Sequence, residues 1–257
     1  ILRSDWTYIV FTLYVNLIWG ELHPKRSSLW GGRSDGSSFH RSVLYGHTLH
    51  QGFVWMDFSS LIKGLRRQEF SVEVAVDAQF LSFEGLPVPP ASLLHYFACD
   101  CAERMLLREH SLGREFDSVY ADWLTIKRSW LAQKTSEEEL VQVIAEAKHT
   151  LVAFEQSMLL QQEPHDSRTF PVLSVMNLAL QRDPFRACTG TARGVLTLLE
   201  HDTKWKATER TWQRYRLIWL LSLVQFAGER WLTLVPGGET PQVCPPEAAL
   251  EECLMGN

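Results

Sequence analysis

His95–Gln156 reads HYFACDCAERMLLREHSLGREFDSVYADWLTIKRSWLAQKTSEEELVQVIAEAKHTLVAFEQ, and this stretch contains three consecutive amphipathic segments. In the first, which begins shortly before His95, apolar residues recur every four positions, at Leu93, Phe97, Cys101 and Met105. In the second they recur at helical spacing, at Val119, Trp123, Ile126 and Trp130. Apolar residues three and four positions apart form one face of an α-helix, so both segments are predicted to be helices.

The third segment begins at a capping box. Ser136 is followed three residues later by Glu139, the arrangement in which each side chain bonds a backbone amide at a helix start. The predicted apolar face of this helix consists of Leu140, Val141, Ile144, Leu151, Val152 and Leu159. On the polar side of the first helix, Asp100, Glu103 and Glu109 are expected to form ion pairs in solvent.

Three more helices are predicted downstream, over residues 171–181, 185–200 and 203–234. The last of them carries an aromatic residue at every seventh position: Trp205, Trp212, Trp219 and Phe226. A seven-residue repeat forms a seam against another helix. We expect this seam to pack within the protein's own bundle; the alternative is a surface left open for a partner.

Upstream of the quoted stretch, the pattern is typical of β-strands. Residues 72–80 alternate between apolar and polar, while 53–58 and 6–19 are apolar runs rich in aromatic and β-branched residues. The run at 6–19 is too short to cross a bilayer comfortably. A short helix is predicted over 59–67, and a glycine- and serine-rich loop over 24–52.

These patterns predict an α+β fold in three parts. A β-containing portion occupies residues 1–88, a mainly α-helical domain residues 89–236, and a proline-rich, mobile tail residues 237–257. Three prolines at 87, 89 and 90 mark the boundary between the first two parts.

The amino-acid composition restricts the kinds of partner and the cellular compartment that we expect for this chain. The formal net charge of −5 gives no overall basic footprint, so no nucleic-acid partner is expected. Five cysteines at irregular spacing favour a reducing compartment, and we expect a cytoplasmic protein. Ten tryptophans and thirteen phenylalanines among 257 residues favour a protein-binding surface, because large aromatics carry much of the energy of interfaces.

Motifs for catalysis are weak. His40, His47 and His50 lie close together, and His47 and His50 are the candidate metal ligands, although zinc needs three or four ligands. Between Cys188 and Arg193 there are four residues, one fewer than a cysteine phosphatase loop requires. No cofactor is therefore expected, and a non-enzymatic role is favoured.

Part of the quoted stretch resembles a known group of proteins. The phrase Leu94 to Arg104, followed by Trp130-Leu131-Ala132-Gln133 and an acidic EEEL segment, is similar to helical segments of bacterial immunity-protein-type domains. In those segments a glycine usually stands where this chain has Gln133. The resemblance covers residues 94–156 and implies a bacterial conflict setting, such as toxin immunity or phage defence. It implies no catalytic residues.

The resulting hypothesis is a non-enzymatic component of a bacterial conflict system that binds another protein, encoded nearby. The expected partner-binding residues are Asp100, Glu103, Glu137, Glu138, Trp205 and Trp212. One alternative is an accessory or protease-target subunit of a CRISPR-type defence cassette, with residues 24–52 or the tail as the docking point. The others are a metal-dependent hydrolase or nuclease using the His40, His47 and His50 region, and a membrane-acting toxin exposing residues 6–19. We consider membrane association unfavoured.

Overall fold

The computed structural model describes residues 57–159 and 169–235, and every regular element in these two ranges is helical. The predicted α+β class is therefore wrong for this part of the chain, which contains no strand. The apolar run at 6–19, the loop at 24–52 and the tail beyond 236 lie outside the described residues.

Ten α-helices follow one another along the described chain. Their bounds are α1 Ser59–Arg66, α2 Val72–Val76, α3 Ala78–Phe83, α4 Ala91–Ser111, α5 Val119–Leu131, α6 Glu137–Leu159, α7 Thr169–Ala179, α8 Pro184–Leu198, α9 Thr203–Ala227 and α10 Trp231–Leu234. A short 3₁₀ turn, Gly228–Arg230, separates α9 from α10. The helix predicted over 203–234 is interrupted there because Gly228 takes a φ of 56°.

The strand predicted at 72–80 is two short helices. Ser71 accepts a hydrogen bond from the backbone amide of Val74 and begins α2, while Asp77 accepts from Gln79 and Phe80 and begins α3. In α2 the buried residues are Val72, Ala75 and Val76, which have helical spacing. Two capping side chains six residues apart thus override the alternation of valines, because each satisfies amides at a helix start.

Helix α4 occupies the centre of the described bundle and packs against α5, α7, α8 and α9. Its predicted apolar row is confirmed, since Leu93, Phe97, Cys101 and Met105 are all buried. Helix α1 packs against α9, and α2 packs against α8 and α9. Residues on both sides of position 88 therefore contribute to one hydrophobic core.

Helix α8 approaches α7 closely because two glycines face that helix. A Cβ atom added at Gly194 would lie 2.9 Å from Cγ2 of Val175, and one added at Gly190 would lie 3.0 Å from Cδ2 of Leu178. The small residues of the Cys188–Gly194 segment thus serve helix packing.

Helix α6 begins as predicted, with the hydroxyl of Ser136 accepting a hydrogen bond of 3.2 Å from the amide of Glu139. Its apolar face differs from the prediction. Leu140, Val143 and Ala147 are buried, whereas Val141 and Val152 are 42% and 39% exposed. The periodicity identified the helix correctly, but this face is rotated from the one assigned.

Helices α1 and α5 are each followed, two residues after the last helical residue, by a glutamine with left-handed backbone. Gln68 has a φ of 60° and Gln133 a φ of 58°. In α5, the amide of Gln133 donates to the carbonyl of Trp130 and the amide of Lys134 to that of Ser129. This pair of bonds is the Schellman motif, whose left-handed position glycine usually occupies.

Candidate functional site

The polar side of α4 faces other helices rather than solvent. Asp100 is 1% exposed and accepts hydrogen bonds from two arginines, Arg128 of α5 through Oδ1 and Arg216 of α9 through Oδ2, each at 2.8 Å. Arg128 also donates to Glu103 at 2.7 Å. One buried carboxylate therefore fastens three helices together, and the expected ion pairs in solvent are wrong for Asp100.

A second ion pair lies further along α4. Nε of Arg104 donates to Oε2 of Glu209 in α9 at 2.9 Å, and Glu209 is 4% exposed. The other oxygen of Glu209 accepts from the side-chain amide of Gln213, which also donates to the backbone carbonyl of Ala192 in α8. Helix α9 is thus bound through polar groups to both α4 and α8.

A third group of charges lies at the C-terminal end of α4. Glu109 is fully buried and accepts hydrogen bonds from Arg108, at 2.7 Å, and from Arg114. Arg108 also donates to Asp202 at 3.3 Å, which joins the end of α4 to the start of α9. In this region the three arginines 104, 108 and 114 are matched by the three carboxylates 109, 202 and 209.

Burial sets the electrostatics of this network. Desolvation raises the pKa of Asp100, and the charges of Arg216 and Arg128 oppose that rise. Desolvation likewise raises the pKa of Glu209, against the charge of Arg104. A buried carboxylate is tolerated only when paired and hydrogen-bonded, which is the condition that the arginines meet.

Aromatic rings contact the arginines of the network. The guanidinium of Arg104 lies 4.7 Å from the ring centroid of Trp212, and that of Arg108 lies 5.3 Å from Trp205. Arg216 lies 4.2 Å from the ring of Trp219. Three tryptophans of the seven-residue repeat therefore make cation–π contacts. The expected seam packs within the bundle only in part, because Trp212 is buried whereas Trp205 and Phe226 are 41% and 81% exposed.

A buried lysine and histidine lie beyond the network, between α4, α5 and the turn after α7. Lys127 is fully buried and donates to the carbonyl of Gln181 at 3.1 Å, while its ammonium lies 4.8 Å from the ring centroid of Trp130. Desolvation lowers the pKa of Lys127 to about 8.

His95 is the other member of this pair. It is 3% exposed, makes an edge contact with the ring of Trp130, and has no hydrogen-bond partner at Nδ1. Desolvation, together with the charge of Lys127, lowers the pKa of His95 to about 3. The imidazole is therefore neutral at physiological pH.

The three cysteines in the described ranges are buried and reduced: Cys99, Cys101 and Cys188. Desolvation raises the pKa of all three thiols, that of Cys99 to about 11. A thiol of this kind is a poor nucleophile because the thiolate is the reactive form. Cys188 lies on the side of α8 that contributes to the hydrophobic core, so its role is packing.

An exposed acidic edge lies where α5 meets α6. The first turn of α6 contains Glu137, Glu138 and Glu139, which we call the acidic edge. Glu137 accepts from Nε1 of Trp130 at 2.7 Å and from Arg182 at 2.6 Å. Carboxylates at a helix N-terminus are stabilised by the helix dipole, so this edge is a stable, charged surface.

The predicted partner-binding residues do not form one surface. Asp100 and Trp212 are 1% and 3% exposed, and they lie inside the bundle. Glu103 is half-buried against Arg128, and Trp205 is 41% exposed beside Arg108. Glu138 is exposed and Glu137 contacts Trp130, so these two belong to the acidic edge.

The candidate metal ligands His47 and His50 lie outside the described residues, as does His40. Within residues 57–159 and 169–235, no group of three or more histidine, cysteine or carboxylate side chains is arranged to hold a metal ion. In the same ranges no helix combines the length and hydropathy that crossing a membrane requires.

Sequence reasoning missed the arginines that complete the network, Arg128 and Arg216, and the buried Lys127 beside it. Each lies far along the chain from its partner, so no local spacing reveals the pairing. One local signal was available for Lys127. It stands four residues after Trp123, on the side of this thirteen-residue helix that carries buried residues.

Comparison with known proteins identifies no relative: no family model, no curated protein and no solved structure matches this chain.

Proposed function

We propose that this chain is a non-enzymatic protein that acts by binding another protein, as a component of a bacterial conflict system. The proposal rests on the pairing of buried charges. The buried carboxylates of α4 and α9 are bonded to arginines and hold α4, α5 and α9 together. Groups engaged in this way maintain a rigid scaffold, and rigid scaffolds present binding surfaces at low entropic cost. The conflict setting rests on the resemblance of residues 94–156 alone.

The acidic edge is the surface that we assign to the partner protein. Three glutamates stand in one helical turn, and beside them Trp130 is held in place by its hydrogen bond to Glu137. A fixed aromatic ring next to carboxylates suits a partner with a basic surface, because complementary charge speeds association and the ring supplies contact area.

The buried candidates have a different role in this proposal. Asp100 and Trp212 hold α4 and α9 in place and so act indirectly, by maintaining the surface. Glu103 and Trp205, which keep part of their surface exposed, remain candidates for direct contact.

The test is affinity purification of the tagged chain from its native source, followed by quantitative mass spectrometry. We expect one stoichiometric partner, and we expect it to be lost from the variant Glu138→Arg/Glu139→Arg. The matched control is Glu69→Arg/Glu84→Arg, which changes the charge equally at two exposed glutamates beside α1 and α3. Retention of the partner by the acidic-edge variant, or absence of any stoichiometric partner, would overturn the proposal.

A further inference from the structure

The first turns of α9 expose several positive charges that form no ion pairs within the described residues. Lys204 and Arg210 are exposed and Lys206 and Arg214 are half-buried; we call these four residues the cationic strip. Within residues 57–159 and 169–235, none of the four forms an ion pair with a carboxylate. The strip is thus distinct from the inward-facing arginines of the network.

Two of the carboxylates nearest in sequence to the strip are already engaged, while Glu200, just before α9, is exposed. Glu209, the only acidic residue of α9, is buried and bonded to Arg104. Asp202 caps the helix through the amide of Trp205 and accepts from Arg108. Because Glu209 and Asp202 are matched by arginines of α4, and Glu200 forms no ion pair with the strip, the four cations have no carboxylate partner within the described residues.

The spacing of the cations in the strip suits contacts with the phosphates of a nucleic-acid backbone. Lys206, Arg210 and Arg214 stand four residues apart on one row of the helix, so successive charges are separated by about 6 Å along its axis. Lys204 stands on another side of the helix from this row, because consecutive residues of an α-helix point about 100° apart. Trp205, next to Lys206 in sequence, is 41% exposed and has the guanidinium of Arg108 over its ring. An exposed indole beside a row of cations can stack on a base while the cations contact nearby phosphates.

We propose that the cationic strip binds the phosphate backbone of a single-stranded nucleic acid, with Trp205 stacking on a base. The net charge of −5 belongs to the whole chain and does not describe this face, where local charge governs the contact. The regular spacing of the cations and the adjoining indole favour a uniformly charged chain bearing aromatic rings over an acidic protein. This surface is separate from the acidic edge, so each proposal can fail without the other.

The test is a fluorescence-anisotropy titration of a labelled oligothymidylate with the purified chain at several salt concentrations. If four phosphates are neutralised, a plot of log affinity against log salt has a slope of about −2.8. Lys204→Glu/Arg210→Glu weakens binding at least tenfold at low salt. Trp205→Ala weakens it about fivefold or more and leaves the salt slope unchanged, since stacking is not ionic.

The matched control is Lys134→Glu/Lys148→Glu, which reverses the same number of charges at two exposed lysines outside α9. We expect its affinity to stay within twofold of wild type. Equal binding by the strip variant and the control would overturn the proposal. So would equal competition by poly-glutamate, which would assign the strip to an acidic protein instead.

Discussion

Replacement of Asp100 by asparagine tests whether the ion-pair network holds the bundle together. Asparagine has nearly the same shape but carries no charge and presents an NH₂ group where one carboxylate oxygen stood. The remaining oxygen can still accept from one arginine. The other arginine then faces a donor, and its charge is left without a partner in a site where Arg128 and Arg216 are only 15% and 17% exposed.

The cost follows from these contacts. Removing one partner of a buried ion pair costs about 3–5 kcal/mol. Arg128 keeps its bond to Glu103, so only Arg216 is left unpaired, and we expect the lower end, about 3 kcal/mol. The control Glu84→Gln removes an exposed carboxylate that forms no ion pair within the described residues, and it should leave the urea midpoint close to that of wild type.

The assay is urea unfolding at neutral pH, followed by circular dichroism. A loss of about 3 kcal/mol lowers the urea midpoint by about 1 M or more for a slope of 2–3 kcal/mol per molar. In the double-mutant cycle with Arg216→Met, we expect a coupling of at least about 1.5 kcal/mol. A loss below 1 kcal/mol for Asp100→Asn, or a coupling near zero, would refute the inference that this carboxylate fastens α9 to α4.

Two further predictions concern burial and packing. Because the pKa of His95 is lowered from 6.5 to about 3 in the folded protein, its contribution to stability is present above pH 6.5 and is lost as the pH falls toward 3. Urea midpoints should therefore show wild type losing about 2–3 kcal/mol more than His95→Gln between pH 7.5 and 4.5, and parallel curves would contradict this. Gly194→Ala should cost about 1–3 kcal/mol, since its Cβ meets the stiff side chain of Val175. Gly190→Ala should be close to neutral in thermal melts, because Leu178 can move aside and alanine favours the helix; equal losses for the two would refute the packing argument.

The helices between 91 and 159 were predictable because each carries apolar residues at helical spacing over at least three turns. A helical repeat that continues over three turns predicts that the segment is a helix. For α4 it also predicts which row of residues is buried. The Ser136 cap was predictable for the same local reason. In α6 the face was less certain, because Val141 and Val152 are apolar residues that the bundle leaves exposed.

The strand prediction at 72–80 failed because alternation over a few residues is also compatible with short helices. The competing signals were Ser71 and Asp77, whose side chains cap α2 and α3. In a short segment, two caps decide the backbone more strongly than the preference of valine for strands.

The charge network was not predictable because its bonds join distant parts of the chain. Asp100 stands on the polar side of an amphipathic helix, and such a side normally faces water. Here α4 is surrounded by other helices, so its polar side meets Arg128 and Arg216 instead. The acidic edge was visible from sequence, because its glutamates open a helix and are consecutive.

The left-handed glutamines just after α1 and α5 identify two places where this chain can be made more stable. Gln68 and Gln133 hold a left-handed backbone that costs a residue with a Cβ about 1 kcal/mol and glycine almost nothing. Gln68→Gly and Gln133→Gly should each raise the melting temperature by about 2–4 °C. Since the two Schellman bonds at each helix end are made by backbone atoms, both substitutions preserve them. Both helix ends thus keep the Schellman conformation without glycine. The stability gained by introducing glycine could offset destabilising substitutions elsewhere in the chain.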